Sequence, residues 1–211
     1  MSKFIYEFIG TFFLVLTVGC AAVVGSAGNL APIAIGAILM CMIYAGGHLC
    51  GGHYNPAVTL GVFLRGRCSA ADVPGYMIAQ FIGAAVAVFA TKALYPPAPG
   101  VVMEMINIVV SRALLAEFLY TFALVFVILN VATAQKNVGS PKYGLAIGFT
   151  VLAGAFSVGG ISGGAFNPAV ALGLCLFGKV AWASFWVFLV ANFAGGAIAA
   201  IVFKACNRED V

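Results

Sequence analysis

The residues best placed to do chemistry in this chain come as two matching sets. Gly47 to Gly61 reads GHLCGGHYNPAVTLG, and 112 positions later Gly159 to Gly173 reads GGISGGAFNPAVALG. The few ionisable residues of the chain lie scattered at span ends and form no acid-base or nucleophile cluster, so no catalytic residue is expected. Each set carries an Asn and a Pro behind glycines and ahead of a short apolar run. Asn is a preferred helix N-cap, and Pro suits the first helical position because its missing N–H is not needed there. Asn55-Pro56-Ala57 and Asn167-Pro168-Ala169 therefore each predict a helix start. With the Asn oxygen accepting from its own helix, at the amide of Val58 or Val170, the NH₂ group is left to point outward as a donor. One such motif would only start a helix. Two, each behind a glycine-rich run, call for a shared purpose.

The remaining candidates are few. Glu7 and Glu117 lie within apolar sequence, where a carboxylate is expensive and is expected to face the protein interior with partners; Glu7 is also close enough to a segment end to reach an interface. His48 and His53 flank Cys-Gly-Gly with no carboxylate or thiol at ligand spacing, so no metal and no cofactor is expected. Cysteines 20, 41, 50, 68, 175 and 206 fall mostly in apolar sequence at no framework spacing and read as packing thiols. Cys50 stands apart because it adjoins the glycine-rich run and could border whatever that run lines.

The elements that carry these residues belong to a membrane. With 64% hydrophobic and 8% charged residues, the chain has too little polar side chain to cover a soluble surface. Crossing a bilayer takes about 20 apolar residues, and six such spans are predicted, near 4–25, 32–50, 74–94, 111–134, 143–161 and 181–203. Runs such as FIGTFFLVLTV lack the alternation of a membrane barrel, so the spans are helices. Two apolar pieces, about 56–65 and 168–178, are too short to cross; both begin at Asn-Pro-Ala. They are half-spans. Breaks fall at 28–32, 65–74, 95–100, 135–141 and 178–179, and the connection near 95–110 has room for a turn or a short surface helix.

The repetition extends beyond the motifs. EFIGT (7–11) matches EFLYT (117–121), and YMIAQFIGA (76–84) matches FLVANFAGG (188–196). A removable leader would have no cause to resemble the fourth span, so the first segment is expected to stay. Three crossings plus one half-span per copy, about 1–95 and 111–206, force the second copy upside down, an inverted repeat with its active region at mid-membrane. The half-spans then enter from opposite faces and meet. The predicted fold is all-α, six transmembrane helices plus two re-entrant half-helices, in a single transmembrane domain over 1–211. Lys3, Arg65, Arg67, Lys136, Lys142, Lys204 and Arg208 fall on one side and Lys92, Arg112 and Lys179 on the other, which predicts both termini in the cytoplasm, in a plasma or inner membrane. The net charge of +4 reports this topology; it offers no basic cluster for nucleic acid. Non-helical backbone at membrane depth is tolerated where it is buried or lines a watery cavity. The paired motifs thus point to a pore.

Over essentially the whole chain, the order of spans, the pair GGHYNPAV and GGAFNPAV, and the pair EFIGT and EFLYT resemble the aquaporin (major intrinsic protein) family. The resemblance implies a homotetramer in a lipid bilayer, a pore through each subunit, passive conduction of water or small neutral solutes, and no reaction. It implies that carbonyls of Gly51, Gly52 and His53, and of Ser162, Gly163 and Gly164, form an acceptor ladder. It also implies that Glu7 and Glu117 accept from amides of the re-entrant loops, and that His53 packs its loop.

One position departs from the family. Typical members follow the second Asn-Pro-Ala with Arg, the cation of the narrow outer filter; here it is Val170. Matching by distance from the motifs gives Ile35, Ala155, Gly164 and Val170, a filter with no Arg, His or aromatic. Such a ring could be wide and pass larger neutral molecules, or be a dewetting barrier that slows water. The Arg-Asp pair usual in glycerol channels is Val170-Ala171 here. The alternative function is a non-conducting membrane scaffold of the same fold. An enzyme would need an acid-base or nucleophile cluster, and a coupled transporter would need charged coupling sites at mid-membrane; neither is visible.

Overall fold

The computed structural model describes residues 1–96, 98, 100, 103–137 and 143–210. Lys142 and parts of the breaks at 95–100 and 135–141 lie outside them. The described residues form eight α-helices and no strand. Helix α1 (Ser2–Thr17) continues as a π-helical turn over Val18–Val23. It is followed by α2 (Ala31–Cys50), α3 (Pro56–Leu64) and α4 (Val73–Leu94). The second half has α5 (Val110–Ile128), which continues as a π turn over Leu129–Thr133, then α6 (Tyr143–Ser162), α7 (Pro168–Phe177) and α8 (Phe185–Cys206). Six stretches are long and apolar enough to cross a membrane: Ser2–Val23, Gly28–Cys50, Val73–Leu94, Val110–Thr133, Tyr143–Ser162 and Trp182–Cys206. Helices α3 and α7 have 9 and 10 residues, which at 1.5 Å per residue is about 14 Å, half the thickness of a hydrocarbon core.

Two of the matching pairs agree residue for residue: shifting α2 and α4 by 112 positions gives the limits of α6 and α8. Small residues set the crossings. A Cβ at Gly36 would lie 2.7 Å from the Gly148 carbonyl oxygen, and one at Gly148 would lie 2.5 Å from that of Gly36, so α2 and α6 cross backbone to backbone. Gly83 and Gly195 likewise abut the carbonyls of Phe8 and Phe118, which seats α4 on α1 and α8 on α5. Where lipid tails remove the hydrophobic drive between helices, such close backbone approach is what packs them. Phe89, Leu115 and Phe149 are exposed on the outside. The two half-helices are wrapped by the long ones, and Ala57, Val58, Ala169 and Ala171 are almost wholly buried.

The connection before α5 holds no short surface helix over residues 103–109. It has no regular structure there, and the Ile106 amide donates to the Lys179 carbonyl at 2.8 Å. The π turns at the ends of α1 and α5 were not foreseen. They coincide with polar side chains that bond back to their own helix: Thr17 Oγ1 to the Phe13 carbonyl (2.8 Å) and Asn130 Nδ2 to that of Phe126 (2.7 Å). Such bonds compete with the regular ladder and loosen it. Just before α4, Asp72 Oδ1 lies 2.7 Å from Lys3 Nζ at the start of α1, and that hydrogen bond holds the Asp72 carboxyl below its usual range.

Candidate functional site

The site is built from the two loops that precede α3 and α7. Helix α2 ends at Cys50 and Gly51 caps it in the left-handed region at φ 82°. A left-handed backbone is cheap for glycine, and Gly52, Gly163 and Gly164 use it too. Tyr54 and Phe166 also have positive φ, 49° and 48°, which is uncommon for a bulky residue and persists only where the surroundings fix it. Those surroundings are specific. The Tyr54 amide donates to Glu7 Oε2 at 2.7 Å and its carbonyl accepts from Asn167 Nδ2 at 2.9 Å. The Phe166 amide donates to Glu117 Oε2 at 2.7 Å and its carbonyl accepts from Asn55 Nδ2 at 2.8 Å. Each strained residue is thus held on both faces of its backbone.

Both carboxylates are fully buried, so Glu7 does not reach an interface. Glu7 also accepts from the His53 amide (2.8 Å) and from Gln80 Nε2 (2.7 Å). Glu117 also accepts from the Ala165 amide (2.9 Å), Ser162 Oγ (2.6 Å) and Asn192 Nδ2 (2.8 Å). With the amides turned toward the carboxylates, the loops' carbonyls are free to face the other way. Gln80 and Asn192, which sequence reading noted only as a repeat match, are direct partners of the two carboxylates. A polar side chain at the same place in both copies was the signal that could have found them.

The motif asparagines behave differently from expectation in two respects. Asn55 Oδ1 accepts from the Ala57 amide at 2.8 Å and Asn167 Oδ1 from that of Ala169 at 2.9 Å, so the capped amides are not those of Val58 and Val170. Both Asn residues have extended backbones, φ −160° and −161°, and the first N–H after the proline is the one within reach. Nor are the NH₂ groups left wholly free: each donates one hydrogen to the opposite loop's carbonyl. The other hydrogen remains for the space beside it.

That space is a cavity of about 270 Å³ running between the helices, with Asn55 and Asn167 in its wall. Ile35, Ala155, Gly164 and Val170 all line it. Of the six residues expected to supply carbonyls, Gly52, His53, Gly163 and Gly164 line it, together with Tyr54 and Ala165. Gly51 and Ser162 do not: Gly51 caps α2, and Ser162 ends α6 fully buried with its hydroxyl on Glu117. Cys50 is also displaced from its expected place at the wall. It is buried behind the loop, with Sγ 3.3 Å from the Gly46 carbonyl and accepting from the Gly52 amide at 3.3 Å. His53 packs its loop, with Nδ1 3.2 Å from Thr59 Oγ1 and its ring against Tyr76. Ile106 and Lys179 reach the wall from connections far away in sequence. Hydropathy and spacing say nothing of them, because only the folded loop brings them there.

Two half-helix N-termini facing each other across a narrow, mostly apolar cavity, with two carbonyl-bearing loops beside them, define a membrane channel architecture. The chain belongs to the major intrinsic protein family, whose model matches residues 1–203. It is 36% identical to "glycerol uptake facilitator protein-like 6" of Lactiplantibacillus plantarum over the full length of both chains. It is 35% identical to aquaporin NIP1-1 of Arabidopsis thaliana, covering all of this chain and 75% of that one. Among solved structures, the X-ray structure of the aquaglyceroporin from Plasmodium falciparum matches with a TM-score of 0.81 at 26% identity, covering 96% of this chain and 94% of that one.

Proposed function

We propose that the chain conducts water and small uncharged solutes passively through the cavity between its two re-entrant loops, with Ile35, Ala155, Gly164 and Val170 as an apolar filter lacking Arg. The observation that carries this reading is the single cavity that holds both motif asparagines and all four filter residues. Each half-helix N-terminus places about half a positive charge at the centre, and each Asn keeps an N–H there. A passing water or hydroxyl is thereby oriented by its oxygen, and a cation is repelled. Gly52, His53, Gly163 and Gly164 line the cavity and would offer it their carbonyls as acceptors, while Leu39, Val151 and Val170 in the same wall have wholly apolar side chains. The similarity to a glycerol uptake facilitator-like protein and to an aquaporin supports the same substrate class.

In this reading the repeats are 1–95 and 111–206, the termini are cytoplasmic, the far mouth beside Ile106 and Lys179 is external, and the functional unit is a homotetramer in a plasma or inner membrane. No bond is made or broken. The filter is tested by Val170→Arg, which adds a long cationic fork beside the Gly164 backbone. If the ring is wide, permeation of glycerol in proteoliposomes falls much more than that of water. If it is a dewetting barrier, water flux rises. Unchanged water and solute rates in a folded variant would remove these four residues from the filter.

A further inference from the structure

The inverted repeat has a consequence for where solutes are sorted. Contacts near the centre are reciprocal: Asn55 bonds the Phe166 carbonyl as Asn167 bonds that of Tyr54, and Gly36 meets the Gly148 carbonyl as Gly148 meets that of Gly36. A pseudo-two-fold axis therefore passes between these pairs, and a residue on one side of mid-membrane has a mate equally far on the other. Shifted by 112 positions, Ile35 maps to Ile147, Ala155 to Ile43, Gly164 to Gly52 and Val170 to Val58. All eight residues line the one cavity.

We propose that Ile43, Gly52, Val58 and Ile147 form a second selectivity ring on the terminus side of the asparagines, and that this ring is the tighter of the two. The proposal rests on the conduction reading above. Its basis is a difference in side-chain size between mates. Ala155 becomes Ile43, adding three carbons, while Ile35 and Ile147 are alike, as are Val170 and Val58, and Gly164 and Gly52. On neighbouring α1 and α5, Val18 becomes Ile128 under the shift of 110 that relates Glu7 to Glu117, and both line the cavity. Both of these unequal pairs, and His53 against Ala165, are bulkier on the terminus side; Leu39 and Val151, the mates at mid-membrane between the two rings, belong to neither. The exposures agree at three of the four pairs: Ile43, Ile147 and Gly52 are buried whereas Ala155, Ile35 and Gly164 are half-buried, and Val58 and Val170 are both buried. An apolar ring of this kind offers a permeant no hydrogen bond except the Gly52 backbone, and it resists wetting in proportion to its narrowness. Solute cross-section is sorted there, whatever the far ring admits.

The test compares the rings by trimming each. Ile43→Ala, which copies the residue of the far ring, and Ile147→Ala are reconstituted beside native protein and Ile35→Ala, with Ile43→Val as a milder step in case the larger truncation does not fold. Glycerol and water relaxation are then read by light scattering. The expected result is a several-fold rise in glycerol flux for Ile43→Ala and Ile147→Ala, a smaller rise for Ile43→Val, and less than a twofold change for Ile35→Ala. Conduction by native protein with no response to Ile43 or Ile147, but a clear response to Ile35→Ala, would overturn the second ring and leave the conduction reading standing. No flux above empty vesicles for any folded variant or for native protein would overturn both.

Discussion

At the scale of single residues, the two buried carboxylates do most to hold the site. Glu117 satisfies two backbone amides, a hydroxyl and an amide side chain at once, so its loss strands four buried donors. Leaving a buried donor unpaired costs about 1–3 kcal/mol. Glu117→Ala is therefore expected to lower thermal stability in detergent sharply, while Glu117→Gln, which keeps one acceptor oxygen, loses less; equal melting of the two would show that the carboxylate's bonds are not what fixes the loop. Cys50 makes a contrasting case. Buried behind the loop, it is expected to stay unlabelled by a polar maleimide in folded protein while the exposed Cys206 at the end of α8 reacts. Mass spectrometry of the labelled protein decides this, and modification of Cys50 at the rate of Cys206 would place it at an accessible wall.

At the scale of elements, glycines divide into those that set crossings and those that leave room. Gly148 sits against the Gly36 backbone, whereas a Cβ on Gly159 would meet nothing within 4 Å although Gly159 lines the cavity. Overpacking a close crossing costs about 1–3 kcal/mol or more. Gly148→Leu is expected to destabilise the fold by at least that much, and Gly159→Leu to leave the melting temperature near native while reducing solute flux. Similar melting losses in both would refute the distinction.

The elements also show what the sequence could convey. The bilayer demands long apolar helices and tolerates short ones only in pairs, so α1 to α8 were legible from hydropathy and repetition to within a few residues, as were Asn55, Asn167, Glu7 and Glu117 as residues of consequence. The partners of these residues were not legible. That Asn55 would cap through Ala57 and reach across to Phe166 depends on the dihedral angles of one residue and on the opposing loop, neither of which has a signature in residue types. The π turns, the displacement of Cys50 and Ser162 from the wall, and the arrival of Ile106 and Lys179 depend likewise on contacts between segments distant in sequence.

At the scale of the whole molecule, the two loops that precede α3 and α7 meet through paired asparagine hydrogen bonds and line one cavity between the long helices. The central claim is that this cavity conducts uncharged molecules and excludes ions without a filter Arg. Its most direct test is reconstitution of the native protein into potassium-loaded vesicles, with water and glycerol relaxation read by stopped-flow light scattering and cation movement read from the same vesicles under an imposed potential. Relaxation clearly faster than in empty vesicles, with no added cation current, is the predicted result. Folded protein that leaves relaxation at the level of empty vesicles, or that carries a cation current, would contradict the account.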